Sequence, residues 1–269
     1  MNNLDYGKFA VLRRPLESGL QSPMNLSGIL VLGAFLQAGL YALEFYVVGY
    51  STAHPFKTEI LKWHFWISVI LVVLGVVFAI PFVYRKLEKS QYLISILYSQ
   101  NLFGVSAYIL ALFAVTDIDA GLSDESMMTF TDVTLLTGIF VFVLTFFRYI
   151  WKIRKGDYRL GSRSEQIRKK FEYKSSLPAA TVAGLGLFFI LQYVLRNLGL
   201  GDPNQLIIIF IGFAVFYTMC FVLPEQLIIL YCKLRFRSFN FEGRPFLDEP
   251  VDNGDEEEAR ALFGDSYHK

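Results

Sequence analysis

The chain has 269 residues, of which 54% are apolar and 18% charged, where soluble domains run at about 45–50% and about 25%. Its charges stand between apolar runs long enough to cross a bilayer core of about 30 Å as helix. That pattern excludes a soluble globular domain and predicts an all-α, polytopic integral membrane protein. A net charge of +1 and two cysteines add no sign of a nucleic-acid surface or a disulfide framework.

Residues 1–24 are polar and mixed, which predicts a cytoplasmic N-terminal segment and no cleavable leader. Six transmembrane helices are expected to follow within a domain spanning 25–232. The first covers 25–50 and carries Gln37, Tyr41 and Glu44 at i, i+4 and i+7, hence on one face. The second covers 62–84, and the third covers 92–115 with Gln100 and Asn101 near mid-depth. An acidic connection without Lys or Arg leads to the fourth, 132–150. The basic connection 151–177 precedes the fifth, 178–200, in which Gln192 and Arg196 share a face one turn apart. The sixth covers 206–232 and contains Pro224, which removes a backbone donor and clashes with the carbonyl four residues back. A kink is expected there, next to Glu225. Cys220 and Cys232 fall about 18 Å apart on that helix, too far for a disulfide.

Orientation follows from the positive residues, which concentrate in cytoplasmic connections. With the N-terminus inside, 22 of the 25 Lys and Arg fall on the cytoplasmic side, so N- and C-termini are both expected there. The segment KIRKGDYRLGSRSEQIRKKFEYK (152–174) is the strongest part of that signal. Its charge is what topology demands, and no nucleic-acid role is inferred. Its second half forms an expected surface helix, with Arg163, Arg168, Lys169, Lys170 and Lys174 available to anionic lipid or a partner. The tail 233–269 is expected to be basic and aromatic to residue 244, lying along the headgroups. It then turns acidic and disordered, with seven carboxylates in 248–258.

Ionisable groups inside spans are costly and mark function by default. The candidates are Glu44, Arg196 and Glu225, supported by Gln37, Asn101 and Gln192. Glu44 and Arg196 fall at the same expected depth, about 10 Å above the midplane, which suggests a pair across packed helices. The competing reading lets Arg196 reach the outer headgroups. His54, Glu59 and His64 flank the outer end of the second span and read as interfacial residues, not as a metal site. Ser95, Ser99 and Ser106 on the third span, and the small residues opening the fifth, read as helix packing. No catalytic set, metal site or cofactor is expected.

The residues point to a non-enzymatic, multi-pass protein of a cell membrane, with a bacterial plasma membrane favoured. Its partners would be the bilayer and a membrane or cytoplasmic protein, with self-association as a further arrangement. The roles that fit are an accessory or assembly subunit, a sensor, or an immunity-type protein against a membrane-active toxin. The alternative is a small-solute or ion transporter or channel using the intramembrane polar residues. An intramembrane enzyme is the third class, and it lacks an assembled nucleophile or acid–base set.

Overall fold

A computed structural model describes residues 6–158, 203–241 and 247. These are helical throughout, with one isolated bridge, Thr52 to Asp117, and no strand among them. Five helices are long and apolar enough to cross a membrane: α1 Pro23–Ser51, α2 Lys57–Ala79, α3 Glu88–Val115, α4 Asp124–Lys155 and α5 Pro203–Arg235. They correspond to the first four expected spans and the sixth. The expected fifth span at 178–200, with Gln192 and Arg196, lies outside the described residues. So do Arg163, Arg168, Lys169, Lys170 and Lys174 of the basic connection, and the acidic run 248–258.

The ends of these helices have local causes. At α1, Ser22 is the N-cap and accepts from Asn25 N–H, with Pro23 at the first helical position. α2 stops at Ala79 because Pro81 drives Ile80 into extended backbone (ψ 126°) and then opens a short helix, Pro81–Lys86. α4 begins at Asp124, earlier than the apolar run alone suggests. Ser123 caps it, and Asp124 and Glu125 meet the positive end of the helix dipole. It closes on Gly156 in the left-handed region (φ 84°), with Asp157 N–H bonded to Lys152 C=O, a Schellman ending. At 32 residues α4 is about 48 Å long, well beyond the hydrocarbon thickness.

Two helices carry a π-turn, Glu44–Val48 in α1 and Gln100–Val105 in α3. The expected irregularity at Pro224 takes another form: Pro224 is buried within α5, whose helix runs on to Arg235.

α1 and α2 pack as a coiled-coil-like pair. Buried residues recur at Leu26, Leu30, Gly33, Gln37, Glu44 and Val48 on one helix, and at Leu61, His64, Ser68, Leu71 and Gly75 on the other. This alternation of three and four is the seam of a left-handed pair. Small residues allow the closest approaches. The Tyr98 ring of α3 wedges between Gly33 and Gly75, where a Cβ on Gly33 would come within 2.6 Å of it. At Gly212 of α5 a Cβ would lie 2.6 Å from the Ala107 carbonyl oxygen of α3. Among the described residues α3 is the central helix, with 61% of its apolar window buried against 11–28% for the others.

At one end of the bundle the polar flanks fold into a cap. The 3-10 segment Tyr6–Arg13 inserts Phe9, Val11 and Leu12, all nearly inaccessible, against Ile153, Tyr158, Ile229, Cys232 and Phe236. Val11 N–H bonds to Tyr158 C=O, which joins this segment to the end of α4. The stretch after α5 is expected to lie along the headgroups. The structure instead buries Lys233, Phe236, Phe239 and Phe241, because Phe side chains on a turn gain more against the cap core than against the interface.

Candidate functional site

The α1–α2 seam is polar at two places, the first where it crosses α3. There Asn101, within the α3 π-turn, donates both amide protons, to Gln37 Oε1 at 3.0 Å and Ser68 Oγ at 2.9 Å. Gln37 in turn donates to Ser106 Oγ at 3.3 Å. The π-turn inserts an extra residue per turn and brings Asn101 and Ser106 to the same seam. All four side chains are buried, and each interhelical bond contributes about 0.6–1.7 kcal/mol.

One to two turns further along α1 stands Glu44, the first residue of the other π-turn and 0% exposed. Its Oε2 lies 2.6 Å from Nδ1 of His64, which is 3% exposed. Glu44 Oε1 and His64 Nε2 have no hydrogen-bond partner among the described residues. The Tyr41 ring lies 6.0 Å from the imidazole, and its hydroxyl donates to Leu61 C=O. The sequence points to Glu44 as an ionisable seam residue, but it assigns His64 to the interface. In the structure His64 is the described partner of Glu44.

The other candidates lie apart from this cluster. Glu225 of α5 accepts a hydrogen bond from the Tyr149 hydroxyl of α4. Its neighbour Gln226 accepts from Gln100 of α3 at 3.2 Å. Gln37, Glu44 and Asn101 therefore come together on the α1–α2–α3 side, while Pro224 and Glu225 serve the α3–α4–α5 side.

His54 lies between α1 and α2 and does not meet His64. Its Nδ1 accepts from Phe56 N–H at 3.2 Å, which leaves Nε2–H to donate to Thr131 Oγ1 of α4 at 3.1 Å. Glu59 is exposed on α2. Among the described residues no three His, Cys, Asp or Glu cluster closely enough to hold a metal ion. Burial holds the His54 imidazole below its ordinary value, a shift that Asp124 partly opposes. The unfolded chain then binds a proton that the folded chain refuses, between that lowered value and about 6.5. Stability is complete above about pH 6.5 and declines as the pH falls through that window. His54→Gln should flatten this limb of the stability–pH curve, which comparing the thermal midpoints of variant and wild type checks.

A second buried polar cluster holds the cap and was not legible as a site. Glu88, at the start of α3, accepts Phe241 N–H at 2.9 Å and the Lys233 ammonium at 3.4 Å. Lys233 is 2% exposed and also donates to Phe239 C=O at 2.9 Å. Its Nζ stands 5.6 Å from the ring centres of both Tyr92 and Phe241. Asn240 donates to the Lys233 and Phe236 carbonyls and closes the turn. Gln91 bridges Pro23 C=O and Phe78 C=O, the latter near the helix break at Pro81. The signal in the sequence was the short link between α2 and α3, whose Glu88 reads as an ordinary loop charge.

No family model, curated protein or solved structure matches this chain.

Proposed function

We propose that this is a non-enzymatic, multi-pass membrane protein that works through protein partners, as an accessory or assembly subunit, a sensor or an immunity-type protein. The observation that carries this reading is the cap. It fixes the root of the basic connection at Tyr158 and the root of the acidic tail at Phe241 on a single packed platform. Two oppositely charged sequences continue from this packed base, a combination that suits docking better than a lipid-facing role alone. In this reading the spans number six, with the fifth at 178–200 and both termini cytoplasmic. The charge bias of the connections supports that orientation, and a bacterial plasma membrane fits it.

The test is cross-linking in native membranes of wild type against a variant with Arg163, Arg168, Lys169, Lys170 and Lys174 all changed to Gln. A defined protein adduct should form with wild type and fall at least tenfold in the variant. An unchanged adduct pattern would overturn the reading.

A second reading, a small-solute or ion transporter or channel, is favoured by one observation: an ionisable pair, Glu44 with His64, inside the spans. It predicts flux into liposomes of the purified chain that Glu44→Gln or Glu225→Gln abolishes. Equal flux in wild type and both variants would remove it.

A further inference from the structure

We propose that Glu44 and His64 form an intramembrane proton-binding site, whose ligand is a single proton taken from the aqueous phase. The site goes beyond both functional readings and holds whether the chain works through partners or moves a solute.

The geometry is that of an acid–base couple closed off by packing. Oε2 and Nδ1 are 2.6 Å apart, a charge-assisted hydrogen-bond distance, and both side chains are almost wholly buried. In its proton-poor form the couple is a carboxylate accepting from a neutral imidazole whose proton sits on Nδ1. That form places one net negative charge within the bundle, which the low-dielectric surroundings penalise. Adding one proton neutralises the couple, either as imidazolium with carboxylate or as carboxylic acid with imidazole. Charge balances as −1 plus +1, and no other bond needs to break.

The unpartnered atoms are the positions left to take the proton. Among the described residues Glu44 Oε1 and His64 Nε2 are buried polar atoms with no hydrogen-bond partner, an uncommon state in protein interiors. Nε2 is free to take the proton, and Oε1 supplies a second carboxyl position for it.

Among the described residues no neighbouring charge neutralises the couple. On α1 the titratable neighbour is Tyr41, whose hydroxyl is given to Leu61 C=O, while Tyr46 and Tyr50 are exposed. On α2, Lys57 donates to Thr52 C=O, and Glu59 and Lys62 are exposed. On α3, Tyr108 bonds to Thr134. Among the described residues the carboxylate and the imidazole therefore depend on each other for charge.

Infrared difference spectroscopy of the full chain in lipid nanodiscs, between alkaline and mildly acidic buffer, tests the proposal. A His54→Gln/His268→Gln background leaves His64 as the one imidazole of the three in the chain. Carboxyl or carboxylate bands and imidazole bands should change together on acidification. Glu44→Gln should remove the carboxyl band and change the imidazole band, whereas Glu44→Asp should keep both with shifted frequencies. Difference spectra identical in wild type and Glu44→Gln would overturn the site. Should Glu44→Gln fail to fold, the Glu44→Asp frequency shift decides, and unshifted carboxyl bands would overturn it.

Discussion

Glu88→Ala is expected to cost about 3–5 kcal/mol, the range found when one member of a buried ion pair is removed. The substitution strands the Lys233 ammonium, 2% exposed, with the Phe239 carbonyl and two ring faces in place of a carboxylate. It also takes the acceptor from Phe241 N–H, which donates to both carboxylate oxygens at 3.1 and 2.9 Å. The cap should loosen at its C-terminal strap before the spans unfold. Limited proteolysis should therefore cut after residue 235 in the variant and not in wild type, and thermal unfolding in detergent should begin earlier. Adding Lys233→Met to Glu88→Ala removes the stranded charge and should recover a large part of the loss, since an apolar chain of similar volume tolerates the same pocket. If the double variant is no more stable than the single one, the ammonium was not the source of the cost.

Gly212→Ala is expected to be more damaging than the same change at Gly33 or Gly39. A Cβ there would stand 2.6 Å from the Ala107 carbonyl oxygen and 2.7 Å from Ala111 Cβ, so α3 and α5 would have to move apart. Backbone cannot swing aside as a side chain can, and overpacking of this kind costs about 1–3 kcal/mol or more. Gly33→Ala meets the Tyr98 ring at 2.6 Å, a side chain that can rotate, and should cost less. Gly39→Ala meets nothing within 4 Å and should be neutral or stabilising, because alanine is the better helix former by about 1 kcal/mol. The ranking Gly212 worse than Gly33 worse than Gly39 is read from thermal midpoints of the three variants in one detergent. A different order would mean that α3 and α5 are not in the tight contact described.

The spans were legible because each is an apolar run bounded by residues with strong local preferences. Pro81 ends α2, and Ser123 with Asp124 and Glu125 starts α4, well outside the apolar window that first located it. The choice of partner inside the bilayer was not legible. Depth along a helix can be counted from sequence, but which helix lies beside α1 depends on packing. Among the described residues α2 and His64 lie there, and Arg196 is outside them. A trace of this was available: Leu61, His64, Ser68, Leu71 and Gly75 repeat at three and four, so His64 falls on the buried stripe and not on a free interface. Asn101 was legible as polar and deep, but its bond to Gln37 depends on a π-turn that no residue in Gln100–Val105 announces. The cap was hidden for another reason. Lys8, Arg13, Lys233 and Arg235 make its segments read as solvated, while the side chains between them carry the burial.

The contact of Phe9 with Phe236 joins nearly opposite ends of the chain, with ring centroids 5.8 Å apart. During synthesis the first of these leaves the ribosome long before the second exists. Phe9, Val11 and Leu12 must therefore wait, only partly covered by α3 and α4, until α5 has been made and threaded into the bundle. The finished cap is thus a record of complete assembly: a chain cut short before residue 236 would keep an apolar N-terminal flag in view. Cellular quality control could recognise that flag without inspecting the membrane region at all.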